Sequence, residues 1–420
     1  MYTMEDVSDD IYHNPQTGCR RVHLSPYYLS KAQTIEYYFG GIFRLRNNLT
    51  MTPHEHDVIS KQLKRVSKAI VEADSYIIDR KIPTHIFKPQ NQWADLIVEG
   101  WIPGTSFNNL NWTRILSPFT GYHLLYLDRL DHGRRFSQPY PPEVLDRIQQ
   151  ENLPDDLPDL MERYIYHNER LAWVVPQFFH SIRNLPSDLI VSVPPRGGEI
   201  GAMINGRIIN CDSLQVQARV NSMHSSGVMD LLREKAERRG RVRVLEIGAG
   251  YGALAHAMSS LFRDRIDYVM VDLPSVLHYP ATYLTLAGLP VEVITPENVA
   301  DADAGGSHRL VPNYLLPEIE ESLGSFDLVV NTMSMNEMSE SQVWYYANLI
   351  NRLLASDGVF YEENAVSIKE HIDCRVVFAQ TFRFRRRVQS FHVAAGLADP
   401  NVWASTYVPQ IYDRWDWSLP

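Results

Sequence analysis

The sequence predicts an α/β protein, with a parallel sheet in its C-terminal part and a mostly helical N-terminal part. Three observations predict it. After Gly240 short apolar strands alternate with helices, as in a sheet covered on both faces. A glycine-rich turn, "GAGYGA", joins the first of those strands to its helix. The following strand, "YVMVDLP", ends in the acid Asp272, about 20 residues beyond the turn.

A chain of 420 residues exceeds one ordinary core, which predicts more than one domain. The expected parts are 1–186, helical and capping an acceptor, 187–239, a hairpin and a linking helix, and 240–420, the sheet. In the first part "MTPHEHDVISKQLKRVSKAIVEAD" is the clearest helix. Thr52 stands as N-cap, Pro53 at the first helical position and Glu55 completes a capping box. Ile59, Leu63, Val66, Ile70 and Ala73 then recur at helical spacing. Prolines and charges from Asp131 to Pro158 predict short helices joined by turns, and Tyr164 to Arg183 predicts another helix. Further on, Asn205-Gly206 between two apolar runs signals a hairpin, and "GVMDLLREKAERRG" a helix closed by Gly240.

Within 240–420 the predicted order is strand "RVRVLEI", helix "GALAHAMSSLF", strand "DYVMVDL", helix "SVLHYPATYLTLAG" and strand "PVEVIT". A long connection follows, then strand "FDLVVNT", helix "SESQVWYYANLINRLLAS" and strand "GVFYEENAV".

In the turn, Gly248 and Gly250 can adopt backbone angles closed to other residues and let a ligand approach the main chain, while Gly252 permits close packing of the next helix. The helix N-terminus offers N–H groups, and Asp272 can accept hydrogen bonds from ribose hydroxyls. An adenosine-type ligand fits this set. "GAGYGA" also satisfies the dinucleotide fingerprint, so an NAD(P)-dependent oxidoreductase is the alternative. Glu246, two residues before the first glycine, favours a ligand with an ammonium group over a pyrophosphate. S-adenosylmethionine has such an end and no phosphate.

E-x-G-x-G-x-G at Glu246–Gly252, Asp272 and the strand opening Phe326-Asp327 resemble class I S-adenosylmethionine-dependent methyltransferases. More narrowly, "LEIGAGYGALA", "DLPSVLHYPATYL", "FDLVVNTMSMNEM" and "GVFYEEN" resemble the sugar O-methyltransferase family, over roughly Val242 to Asn364. That resemblance implies a Rossmann-like sheet and an O-methyltransferase acting on a sugar or sugar-containing metabolite; an O- or N-methyltransferase of a non-sugar small molecule is a further alternative. It implies that Gly248, Gly250 and Gly252 line the methionine end of the cofactor, with Glu246 at its amino group. Asp272 would hold the ribose, Leu273 and either Glu297 or Asn298 would flank the adenine, and Asn331 would lie beside the cofactor. The family's fifth strand often ends in a Ser-Ile-Asn-Arg-like run, from which "YEENAV" departs.

Methyl transfer to a hydroxyl benefits from a general base. The acceptor should face "NTMSMNEMSE", where Ser334 and Asn336 offer hydrogen bonds and Glu337 a carboxylate. Glu337 is read as the base, as the group orienting it, or as an acid favouring the start of a helix capped by Ser339 or Ser341. His224 is the conventional alternative base, and Arg219 could meet an anionic group of cofactor or acceptor. Arg383, Arg385 and Arg387 would share one face of a strand, either solvated or facing a diphosphate.

The formal charge of −10 argues against a nucleic-acid partner. No run approaches the roughly 18 apolar residues that span a bilayer. Three scattered cysteines suggest neither disulfides nor a zinc site, and no cluster demands another metal. The expectation is a cytoplasmic enzyme with no membrane partner and no metal; a homo-oligomer and a non-catalytic nucleoside-binding module stay open.

Overall fold

The computed structural model describes residues 42–43, 53–89, 178–179, 181–194, 201–204, 207–301, 308–364, 372–389 and 408–415. The N-cap expected at Thr52, the helices expected over 131–158 and most of the helix expected over 164–183 lie outside them.

In chain order the elements are β1 (Ile42–Phe43), α1 (Pro53–Asp79), α2 (Thr84–Phe87), β2 (Gly201–Ile204), β3 (Arg207–Ile209), α3 (Cys211–Ser225) and α4 (Val228–Arg239). They continue as β4 (Val242–Ile247), α5 (Ala253–Phe262), β5 (Ile266–Asp272), α6 (His278–Leu286), β6 (Val291–Val293) and β7 (His308–Pro312). The rest are α7 (Leu316–Leu323), β8 (Phe326–Thr332), α8 (Glu340–Leu353), β9 (Leu354–Glu363), α9 (Cys374–Thr381), β10 (Arg383–Arg387) and β11 (Gln410–Asp413).

Eight strands form one sheet in the order β10-β11-β9-β8-β4-β5-β7-β6. β6, β7, β5, β4, β8 and β9 run parallel, while β11 and β10 are added antiparallel beyond β9. From β4 the chain builds outward through β5 on one side and β8 on the other, so a crevice opens above the carboxyl end of β4. Alternate residues of each strand feed two cores. Val244, Tyr268, Met270, Val330 and Tyr361 meet α3, α4, α5 and α6. Leu245, Ile247, Val269, Val329 and Phe360 meet α7, α8 and α9.

Residues 53–89 belong to these same cores. Ile59, Leu63 and Val66 of α1 join the first, and Ile77, Ile86 and Phe87 the second. Polar ties accompany them: Tyr314 Oη donates to the Ala69 carbonyl at 2.8 Å, and Gln342 Nε2 to that of Ile86 at 3.0 Å. The helix expected to stand with the N-terminal part is therefore packed on the sheet.

The hairpin forms as expected, with Ile204 opposite Arg207, and β1 adds a third strand beside β2. One strand differs from expectation. The sequence reads "PVEVIT" as the third strand with a long connection after it, but that connection holds β7, which stands beside β5 and leaves β6 at the edge. All five residues of β7 are buried, and its Arg309 finds Asp267 of β5 at 2.5 Å. Burial of a paired charge hid a core strand inside what reads as a polar connection.

Candidate functional site

β4 ends in a turn whose three glycines all have left-handed angles: φ is 75° at Gly248, 56° at Gly250 and 90° at Gly252. A side chain at any of them would be strained. The turn is fastened to β5 through the main chain, since Gly248 N–H donates to the Val271 carbonyl at 2.8 Å. Asp272 completes the fastening: its Oδ2 accepts from Gly250 N–H at 2.9 Å and its Oδ1 from Leu273 N–H at 2.7 Å. Burial nevertheless raises this carboxyl to about 7, against the effect of those two bonds.

Two of the glycines are small for reasons of packing. A Cβ on Gly252 would stand 3.2 Å from Pro280 Cβ, where α5 crosses α6. A Cβ on Gly248 would stand 2.1 Å from Ser334 Oγ, so the loop after β8 lies directly on the turn. Tyr251 is turned inward, its hydroxyl donating to Asp212 of α3 at 2.8 Å and its ring edge-on to Tyr283.

Below the turn, Glu246 is 3% exposed and accepts a hydrogen bond from Tyr268 Oη at 2.8 Å. Burial raises its carboxyl to about 8, and the Tyr268 phenol is pushed well above its ordinary value for the same reason. A second pair of this kind stands on β9, where Tyr361 Oη donates to Glu363 Oε2 at 3.3 Å. Arg219 of α3 joins them, with its Nε 3.3 Å from Glu363 Oε1 and its charge lowering the Glu246 carboxyl. The sequence offered Arg219 to a ligand anion; the structure gives its guanidinium a protein carboxylate.

On the other side of the crevice Asn331 is fully buried, one residue before the end of β8. Its Nδ2 donates to the Ile247 carbonyl at 2.7 Å and to Ser334 Oγ at 2.6 Å. Its Oδ1 accepts from Asn364 Nδ2 at 2.9 Å. Asn364 reaches Glu362, which pairs with Arg375 at 3.3 Å and whose carboxyl burial lifts to about 7. Consecutive strand residues point to opposite faces, so Glu362 meets Arg375 on one side of the sheet and Glu363 meets Arg219 on the other. Met333 has a left-handed φ of 56° and its N–H donates to the Glu363 carbonyl at 2.8 Å.

Asn336 is buried and its N–H donates to Asn364 Oδ1 at 3.3 Å. Glu337 closes the short 3₁₀ turn Met335–Glu337 and is half-buried. The helix cap beyond it is Ser339, in a capping box with Gln342, which leaves Glu337 outside the cap.

The structure thus brings Glu246, Gly248, Gly250, Gly252, Asp272, Leu273, Asn331, Ser334, Asn336, Glu337 and Arg219 to one end of the sheet. Glu297 lies at the same end of the sheet but two strands beyond β5. It follows the edge strand β6, its side chain is 70% exposed and it pairs with Lys68 of α1. Asn298 folds back on its own turn, accepting from Thr295 N–H. His224 lies five residues after Arg219 on α3, about 140° around the helix from it. Sequence reasoning missed Asp212, Tyr361, Glu362, Glu363 and Asn364. The available signal was "YEEN", two adjacent acids closing an apolar strand.

Arg383, Arg385 and Arg387 lie on the exposed edge strand β10, and Arg385 pairs with Asp413 at 3.3 Å. Among the described residues no helix is long and apolar enough to cross a membrane, and no group of three or more metal-ligating side chains could hold an ion.

Strand order, left-handed turn and the switch of direction at β4 define a Rossmann-like α/β fold. No protein-family model matches the sequence, and no curated protein matches it. Solved structures similar to it include a TehB-like S-adenosylmethionine-dependent methyltransferase from Corynebacterium glutamicum, with 14% identity over 46% of this chain and 98% of that one, TM-score 0.29. Another is the magnesium protoporphyrin IX methyltransferase from Synechocystis, with 12% identity over 48% and 84% of the two chains, TM-score 0.27. A third is a glycopeptide N-methyltransferase in complex with S-adenosylhomocysteine, with 18% identity over 45% and 90%, TM-score 0.28.

Proposed function

We propose that the chain is an S-adenosylmethionine-dependent methyltransferase, and that it acts on a hydroxyl of a sugar or sugar-containing metabolite. One observation supports this above the others: the left-handed glycine turn stands against the buried acid Glu246, a group that offers nothing to the pyrophosphate of a dinucleotide. A cationic nucleoside is favoured there instead. Asp272 suits a ribose, because a carboxylate has about four acceptor positions and its two hydrogen bonds to the main chain leave room for hydroxyls. The choice of a sugar rests on the four segments that resemble the sugar O-methyltransferase family.

When bound, S-adenosylmethionine supplies a methyl group already activated on a sulfonium. The protein's part is to hold the acceptor in line and to exclude water. Ser334, fixed by Asn331 against Gly248, and Asn336 shape the acceptor side. Glu337, half-buried beside them, takes the proton from the acceptor hydroxyl as its oxygen attacks.

Calorimetry with S-adenosylmethionine and with NAD tests the ligand class, the expected result being binding of the first alone. Binding of NAD alone overturns the proposal. Transfer of labelled methyl groups across a panel of sugars and glycosides then tests the acceptor; labelling of non-sugar hydroxyls or amines only removes the sugar.

A further inference from the structure

The two tyrosine–glutamate pairs of the crevice share one guanidinium. On the face of the sheet toward α3, Tyr268 holds Glu246 on the β4 side and Tyr361 holds Glu363 on the β9 side. Arg219 reaches Glu363 directly, and its charge acts on Glu246, Tyr268 and Tyr361 alike. Register places the three strands side by side, with Glu246 opposite Val330 of β8 and Val330 opposite Tyr361 of β9. The groups facing Glu246 from the packed elements, among the described residues, are Tyr268 and Asp272 from β5 and Arg219 from α3. Phenols stay neutral near pH 7, so with both glutamates ionised the charged groups of the cluster, among the described residues, are two carboxylates and one guanidinium. Glu246 and Glu363 are 3% and 0% exposed, and an excess charge at that depth is expensive.

We propose that the Glu246–Arg219–Glu363 cluster holds a proton when the crevice is empty, and that the ammonium end of the nucleoside ligand replaces it, so that binding expels a proton into solution. The inference rests on the proposed cofactor. Direct contact with Glu246 is not required, because a charge acts over several ångströms in a dry site. The Glu246 carboxyl, raised to about 8 by burial, is in the range where such an exchange operates at pH 7.

Proton release is read by calorimetry at pH 7 in buffers of different ionisation enthalpy. The probes are S-adenosylmethionine and 5′-methylthioadenosine, which has the nucleoside and thioether but no ammonium. Expected are close to one proton released per S-adenosylmethionine and almost none with methylthioadenosine. Affinity for S-adenosylmethionine should strengthen roughly tenfold from pH 6 to pH 7, where the ligand's amine stays charged. Glu246→Gln should abolish both the release and the pH dependence. Glu363→Gln, a second variant should the first fail to fold, leaves Arg219 to Glu246 alone and should cut the release by half or more. Binding of S-adenosylmethionine with no proton release overturns the inference and leaves the cofactor standing. Equal release with both probes also overturns it and points to Asp272 under the ribose. Failure of both probes to bind at any pH removes the proposed function as well.

Discussion

The two sides of the crevice are built from different material. On the β4–β5 side the turn is made by the main chain: three left-handed glycines, with N–H groups donating to Val271 and to Asp272. On the β8–β9 side, Asn331, Ser334, Asn364 and Glu362 form a chain of hydrogen-bonded side chains, and Glu363 on the opposite face pairs with Arg219. The first side leaves backbone open to a ligand. The second gives up much of its polar capacity to the protein itself. Adjacent strands can thus divide one site between a part that binds and a part that keeps the binding part in shape.

Arg219→Met tests that division most severely. Removing the guanidinium leaves Glu363 without its ion pair at full burial, and a broken buried pair typically costs about 3–5 kcal/mol. Denaturant unfolding should show that loss, partly recovered at low pH where the carboxylates protonate. An unchanged midpoint at pH 8 would mean the network does not support the turn.

Gly248→Ala attacks the seam between the two sides. The strained angle and the collision with Ser334 Oγ together should cost about 2–4 kcal/mol and abolish cofactor binding. Adding Ser334→Gly should return part of the stability, and a strictly additive double variant would show the seam to be no contact at all.

Glu337→Gln separates chemistry from binding. The rate constant should fall about 100-fold, the lower range for loss of a general base, with cofactor affinity unchanged. Wild-type turnover would remove Glu337 as the base.

The pH dependence of stability compares the sides collectively. Burial raises Glu246 to about 8 and Asp272 and Glu362 to about 7, so the folded protein holds more protons than the unfolded chain between their ordinary values and these. Stability from these groups is therefore lost as pH rises toward 8. Burial lowers His256, His278 and His308 to about 4, so their contribution is lost as pH falls from 6.5 toward 4. The two sets nearly cancel between about pH 5 and 6, so the melting temperature without ligand should be level there and drop by several degrees from pH 6.5 to pH 8.5. A flat profile across that interval would contradict the buried acids.

Glu297→Ala gives the smallest effect. Its exposed pair with Lys68 is solvent-screened at the sheet edge, and neither melting temperature nor cofactor affinity should move measurably. A marked loss of affinity would return this residue to the adenine site.

The legible part of the site was its local part. Gly248, Gly250, Gly252 and Asp272 follow from angles only glycine adopts easily and from an acid at a strand's end, all within 25 residues of chain. Glu362 and Glu363 were not legible, because adjacent acids at the end of a strand read as solvated until Arg219 and Arg375 arrive from 144 and 13 positions away. β7 was missed for the same reason. Its His308 and Arg309 look polar in sequence and are 2% and 1% exposed in the fold, paired with Ser259 and Asp267.

By itself the sequence determined the alternation of strands and helices, the hairpin around 204–207 and the glycine turn, since each depends on residues near one another in the chain. Tertiary structure decided which strand stands beside β5, that residues 53–89 pack on the sheet, and that one arginine serves two glutamates. Those outcomes depend on which distant charges meet after water has been excluded, and hydrophobic periodicity carries no record of such meetings.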